Sequence, residues 1–314
     1  MAIDSLKLIR HLDSIEKKTP ITADVFLTNY CNNKCPYCTY RRWSFEPGAR
    51  YMNIDDFKKY SDRLIELGVK GIILTGGGEP TLNPDFDKIT QYLESKDITY
   101  GLNTNFNTYH ECSPAFLKVS LDGSSPKSYI ARRGVDAYDR VIENIKAYCK
   151  FRDRTKTNVG VQIVVNKFDE IELFYESVKN LDIDFISFRP IEATNGKYSH
   201  NEIECLVPVI VNAVLNLKRK DNRVVLNTKW AQLATRFTSC LAQWAQIALN
   251  ECGEVIYCCH KPYEIVGNIM DDDILKKKAE FRTDISKCDV PCRLTASNMI
   301  IEYINKEIKD GGFI

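Results

Sequence analysis

No run of apolar residues in this sequence approaches the ~20 needed to span a bilayer, and the N-terminus, Met-Ala-Ile-Asp-Ser-Leu-Lys, has no apolar signal core. The chain therefore reads as cytoplasmic, with no membrane partner. An excess of either charge is missing too. With 43 Lys and Arg against 42 Asp and Glu the net charge is +1, so nothing electrostatic demands nucleic acid as an obligatory partner. Tandem repeats and low-complexity linkers are absent, and the composition is ordinary globular. Cysteine, in contrast, is plentiful. Twelve of them in a reducing compartment point to metal ligands rather than disulfides.

The densest stretch is Thr28-Asn29-Tyr30-Cys31-Asn32-Asn33-Lys34-Cys35-Pro36-Tyr37-Cys38, after which neither cysteine nor histidine returns until His110 and Cys112. Three thiolates without a fourth ligand suit an iron-sulfur cubane that keeps one iron open for an exogenous ligand. The competing reading is a zinc knuckle. Structural zinc, however, takes four closed ligands and paired Cys-x2-Cys arms, and only one arm fits here. A strand expected over residues 24–28 puts this loop at a strand's C-terminal end, which is the active face of a β/α barrel.

Residues 53–67 place Phe57, Tyr60, Leu64 and Ile65 on one helical face, capped by Asn53 or Asp55 and stopped at Gly68. A buried strand over 71–75 follows and ends in Gly76-Gly77-Gly78-Glu79-Pro80. A helix from about residue 84 turns Phe86, Ile89, Tyr92 and Leu93 inward. Strands over 98–103, 116–121, 159–165 and 184–189 then alternate with a short helix or loop and with helices over 136–149 and 169–181. Six strands with crossovers predict an α/β fold whose parallel sheet curls into a partial barrel, not the complete one that eight would give. Beyond Arg189-Pro190 come an apolar helix over 207–217, a charged turn over 218–222, a cysteine-rich stretch from 235 and a helix over 294–309. The expected organisation is an N-terminal arm (1–20), a core (21–195), a helical connection (196–234), a small cysteine-rich unit (235–300) and a tail (301–314).

Three consecutive glycines let a backbone approach a ligand closely, and Glu79-Pro80 fixes the exit. A plain tight turn is the alternative. Neither the Lys-Ser/Thr of a phosphate loop nor dinucleotide-fingerprint spacing is present. The Cys-x3-Cys-x2-Cys run, with Tyr37 before its last cysteine, and the Gly77-Gly78-Glu79-Pro80 segment together resemble the signatures of the radical S-adenosylmethionine (SAM) enzymes. That resemblance implies a partial (β/α)6 TIM-like barrel carrying a 4Fe-4S cluster on Cys31, Cys35 and Cys38. It also implies SAM bound near Gly77, Gly78, Glu79 and Pro80, with Ser120 and Asp122 as the ribose-contacting element. Asn103 ends the third strand in the same layer, and Arg133 stands where related enzymes place a carboxylate-binding arginine. Asn166 and Arg189, after the fifth and sixth strands, are expected at the barrel mouth, Arg189 touching substrate.

Cys240-x17-Cys258 followed by Cys288-x3-Cys292 supplies four thiolates, the number that a saturated four-iron cluster needs. A zinc ribbon of the same four residues is the competing reading. The region resembles the auxiliary-cluster domain called SPASM, and more closely its shortened twitch form with one cluster. Cys252 or Cys259 is the alternative ligand to Cys258, and whichever is left over is a candidate to return a hydrogen atom to a substrate radical. Cys112, Cys149 and Cys205 read as buried packing residues.

The resemblance implies reductive cleavage of SAM to a 5'-deoxyadenosyl radical that abstracts hydrogen, with flavodoxin or ferredoxin as electron donor. About twenty residues precede the first strand, too few for the leader-binding domain of many peptide modifiers. The expected reaction is therefore oxidation or epimerisation of a small polar molecule such as a sugar or aminocyclitol. Peptide modification and a non-catalytic iron-sulfur or zinc protein are the alternatives.

Overall fold

The computed structural model describes residues 10–38, 40, 48–165, 170–191, 207–227, 237–285, 288, 292 and 294–305. Eight strands run parallel: β1 (Thr22–Phe26), β2 (Gly71–Thr75), β3 (Tyr100–Thr104), β4 (Phe116–Ser120), β5 (Asn158–Val165), β6 (Phe185–Pro190), β7 (Val224–Leu226) and β8 (Gln246–Leu249). Their order is β8-β1-β2-β3-β4-β5-β6-β7, extended past β8 by the antiparallel β9 (Glu254–Ile256) and β10 (Ile265–Asn268). Among the described residues no pairing joins β7 to β8, so the barrel stays open there.

The open parallel barrel matches the sequence expectation, but its parallel strands number eight rather than six. The two extra strands are short, three and four residues. Each exists because a longer partner templates it: β7 along residues 186–188 and β8 along residues 22–25. A segment such as Gln-Ile-Ala-Leu carries too little β preference to be read alone.

The helices follow the crossovers: α1 (Leu12–Lys17), α2 (Ile54–Glu66), α3 (Phe86–Ser95), α4 (Pro126–Arg133), α5 (Tyr138–Phe151), α6 (Glu170–Val178), α7 (Val207–Lys220), α8 (Ile274–Glu280) and α9 (Thr295–Asn305). Asn53 caps α2, its side chain accepting from the Asp56 amide at 2.8 Å. Phe57, Ser61 and Leu64 form the buried stripe of α2. Ile65, expected inward, is 42% exposed, because it lies one position, about 100°, past that stripe. Sequence reading also missed α4. Its capping box pairs Ser125 with Ser128 instead of the usual Glu or Gln.

Strand alternation divides the sheet into two unlike faces. Val25, Leu74, Leu102, Val119, Val161 and Phe188 join one core with Phe57, Phe86, Ile145 and Phe174 of the covering helices. Each such side chain contributes about 1.5–3 kcal/mol on burial. On the other face Asn103 stands beside Lys118, Ser120 beside Gln162, and Gln162 beside Ser187. Arg189 continues the row one layer up on β6. That face is polar across β3 to β6. No described helix is long and apolar enough to cross a membrane.

Candidate active site

The cysteine loop leaves the C-terminal end of β1 and is anchored by backbone contacts before its first thiol. Thr28 Oγ1 donates to the Arg50 carbonyl at 2.7 Å and accepts from the Tyr30 amide at 3.0 Å. Asn83 Nδ2 donates to the carbonyls of Leu27 and Met52 at 2.7 and 2.8 Å. Cys31 Sγ accepts from the Asn33 amide at 3.4 Å and from Asn105 Nδ2 at 3.9 Å. Cys35 Sγ accepts from the Arg133 guanidinium at 3.1 Å. Burial first, then the nearby Glu79, pushes the Cys31 thiol up to about 12, and Cys35 and Cys38 push it further in the same direction. Cys31 therefore feels both of the other sulfurs.

Among the described residues no three or more of His, Cys, Asp or Glu converge on a single ion position. A zinc site needs that convergence. An iron-sulfur cubane does not, since each thiolate binds a different iron. The donor set, three thiols with polar hydrogens aimed at two of them, fits the cubane.

The glycine loop lies directly on the cysteine loop. The Glu79 amide donates to the Tyr30 carbonyl at 2.8 Å. A Cβ on Gly78 would stand 2.0 Å from that same oxygen, so only glycine lets the two backbones touch. Gly78→Ala is expected to force them apart, lowering stability by the ~1–3 kcal/mol typical of overpacking. Thermal unfolding of the metal-free protein checks this, and an unchanged midpoint would count against the contact.

Glu79 itself is buried and fully engaged. Its carboxylate accepts from Thr104 Oγ1 at 2.5 Å, the Asn105 amide at 2.7 Å, and the Thr81 hydroxyl and amide at 2.8 and 3.3 Å. Burial holds its carboxyl above the ordinary range despite these four donors. Through Asn105, whose Nδ2 donates to Asn32 Oδ1 at 2.7 Å, Glu79 fixes the β3 exit against the cysteine loop. Pro80, also buried, opens a 3-10 turn behind it. Asn103 donates to Thr75 Oγ1 at 3.3 Å, and its Oδ1 is buried with no hydrogen-bond partner among the described residues.

Asp122 and Arg133 form the underside of the loop. Asp122, in a left-handed conformation (φ 53°), accepts from the Val164 amide at 2.7 Å and from the Tyr37 hydroxyl at 3.0 Å. Arg133 Nη1 lies 3.2 Å from Asp122 Oδ2, and Nη2 donates to the Ser120 carbonyl. The Arg133 carbonyl accepts from the Lys34 amide at 2.8 Å. Ser120 is half-buried at the end of β4. Both charged residues, read from sequence as ligand contacts, are thus turned toward the loop that carries the thiols. Asn166 lies outside the described residues.

A second group of thiols gathers where the C-terminal strands begin. Cys240 precedes β8, and Cys258 follows the antiparallel β9, so both come to the N-terminal edge of β8. Asn298 of α9 donates to Cys240 Sγ at 3.8 Å and accepts from the Ala242 amide at 2.8 Å. Cys292 Sγ accepts from the Leu294 amide at 3.4 Å. Burial, then Cys259, raises the Cys258 thiol well above its ordinary value, and Cys292 adds to this. Tyr257 feels Cys240, Cys258 and Cys288 together. Cys259 packs with Phe26, Ala248 and Ile256 under Tyr40, whose hydroxyl donates to the Cys259 carbonyl at 3.0 Å. Cys252 is elsewhere: exposed on the turn at the C-terminal end of β8, it is influenced by Glu251 and Arg50. Arg50 pairs with Glu251 at 2.7 Å.

Sequence reading overlooked Lys278. It is 2% exposed in α8, and its Nζ donates to the Tyr257 carbonyl at 2.7 Å. Burial pulls its ammonium down to about 8, while Cys258, Cys240 and Cys259 push back. The available signal was its spacing, four residues after the buried Ile274 on the same helix face.

A family profile described as the Radical SAM superfamily matches residues 25–177, which hold the end of β1, the cysteine loop, the glycine loop and strands β2 to β5. These residues are a radical SAM domain. Domains of this family use a 4Fe-4S cluster and SAM. A probable GTP 3',8-cyclase of Pyrococcus horikoshii is 32% identical over 160 residues, covering 48% of this chain and 50% of that protein. The GTP 3',8-cyclase of Ectopseudomonas mendocina is 28% identical over 176 residues, 52% of this chain and 53% of its own. This chain thus spans about half the length of the curated relatives it matches. In fold, the radical SAM domain together with the C-terminal strands resembles SAM-bound SuiB of Streptococcus suis (TM-score 0.63, 16% identity, 89% of this chain and 71% of that one). A similar likeness holds to anSMEcpe with bound AdoMet and Cp18Cys peptide (TM-score 0.60, 18% identity, 94% and 86%).

Proposed function

We propose that the protein is a SAM-cleaving radical enzyme acting on a small polar substrate, with a second, fully ligated 4Fe-4S cluster beside the barrel. The observation that carries the substrate class is the polar row from Asn103 to Arg189 on the sheet face opposite the apolar core. A face lined by such groups suits a substrate that offers hydrogen bonds, because an apolar one would desolvate them without return. Cys31, Cys35 and Cys38 hold the SAM-binding cluster in this reading. Gly77, Gly78, Asn103 and Ser120 face SAM, Glu79 positions the loops, and Asp122 and Arg133 position Cys35 and Tyr37. When bound, the cluster supplies the electron that splits SAM to a 5'-deoxyadenosyl radical able to take hydrogen from an unactivated C–H bond. A flavodoxin or ferredoxin is the proposed electron donor.

Cys240, Cys258, Cys288 and Cys292 are the proposed ligands of the second cluster. The place of Cys252 at the other end of β8 and the packing of Cys259 against Phe26 favour Cys258 over either as the fourth ligand. From its exposed turn Cys252 is the better hydrogen-atom donor of the two. Within the small polar class, oxidation or epimerisation of a sugar-like alcohol is one outcome, and a purine nucleotide, the substrate named for the relatives, is the other to test first. The deciding assay is anaerobic reconstitution, reduction and quantitation of 5'-deoxyadenosine and methionine, repeated with a panel of sugars, aminocyclitols and GTP. Cleavage accelerated by one member of the panel is expected. Iron-replete, reduced protein that leaves SAM intact would end the proposal.

A further inference from the structure

Lys278 is a buried cation with no carboxylate partner among the described residues. Among the described residues its polar contacts are the Tyr257 carbonyl at 2.7 Å and the Tyr257 ring, 5.2 Å from Nζ to the centroid. The neighbouring Lys277, in contrast, pairs with Asp271 and Asp273 at the surface, at 2.9 and 3.0 Å. A buried ammonium with no anion costs several kcal/mol. The carbonyl that Lys278 holds belongs to Tyr257, the residue before Cys258, and Lys278 feels the thiols of two proposed ligands, Cys258 and Cys240. Neutral thiols do not balance its charge, whereas metal-bound thiolates do, because a coordinating thiol is deprotonated outright. The loaded state of this site therefore accounts for a cation buried here.

We propose that Lys278 is the fixed counter-charge of the second cluster, and that it raises the potential of that cluster by offsetting the thiolate charge. This rests on the four-cysteine reading given above. Reduction adds an electron to an already negative assembly, and a buried cation beside it favours the reduced form, since little solvent screens the pair. A cluster poised upward in this way is a better electron acceptor. That suits it to oxidising a substrate-derived radical rather than to reducing SAM.

The test uses the full-length Cys31/Cys35/Cys38→Ala variant, which keeps only the second site, with Lys278 intact, as Lys278→Met, or as Lys278→Arg. After anaerobic reconstitution, EPR-monitored titration is expected to show a more negative midpoint for Lys278→Met. The expected change is at least tenfold in the reduced-to-oxidised ratio at fixed potential, or 59 mV for one electron. Lys278→Arg should stay within threefold of the parent. An unmoved midpoint in iron-replete Lys278→Met overturns the proposal. Absence of iron from the parent with Lys278 intact would instead overturn the second cluster. Thermal unfolding of the metal-free proteins covers the case in which Lys278→Met takes up no iron. Methionine should then raise the midpoint, because it removes an unpaired buried charge, and a lowered midpoint would mark Lys278 as a packing residue and refute its role.

Discussion

Replacing Cys31, Cys35 and Cys38 together by alanine is expected to abolish SAM cleavage and to lower bound iron from about eight to about four per chain. The fold should survive. The loop is held by Thr28, Asn83 and the Glu79 amide rather than by its sulfurs. Arg133 would lose the Cys35 acceptor but keep Asp122 and the Ser120 carbonyl. Loss of three small, partly buried thiols costs on the order of 1 kcal/mol each. Iron and sulfide analysis, circular dichroism and the 5'-deoxyadenosine assay read these separately. Unchanged cleavage would place the chemistry elsewhere, and zinc in place of iron in the wild-type protein would remove the radical interpretation altogether.

Arg133→Met carries the second large effect. The substitution strips Asp122 of its cation while leaving the carboxylate 2% exposed, and breaking one side of a buried pair typically costs about 3–5 kcal/mol. Against a total stability of roughly 5–15 kcal/mol this is severe. It also removes the guanidinium from Cys35 and loosens the Tyr37 contact to Asp122, so iron retention should fall with stability. The double variant Arg133→Met/Asp122→Asn is expected to recover part of the loss, a coupling of about 1–3 kcal/mol. Urea unfolding of the four metal-free proteins measures that coupling. Additive losses would show that the two side chains act independently.

The chemistry was legible in the sequence where it is local. Three thiols within eight residues and three glycines after an apolar strand state their purpose in adjacent positions, and the structure brings these two loops together through Tyr30. Charged residues were harder to read. Asp122 and Arg133 read as ligand contacts at strand and helix ends, and the fold also ties them to the cysteine loop, Arg133 to Cys35, 98 positions away, and Asp122 to Tyr37. Lys278 sits in a run of three lysines that reads as solvent-facing, and only the phase of α8 shows that one of them points inward. The strands β7 and β8 were invisible for a related reason, since both borrow their order from partners far along the chain. Residues 166–169, 192–206 and 228–236 fall outside the described residues, and with them the expectations for Asn166 and Cys205.

One pairing sets a timetable for assembly. Thr22 of β1 lies against Gln246 of β8, a separation of 224 residues (246 − 22). At a synthesis rate of about 5–20 residues per second, the outer edge of β1 waits roughly 10–45 s on the ribosome for its neighbour. Throughout that interval the edge of β1 that β8 will cover presents unpaired backbone N–H and C=O groups, a template for pairing with other chains until the C-terminal strands arrive.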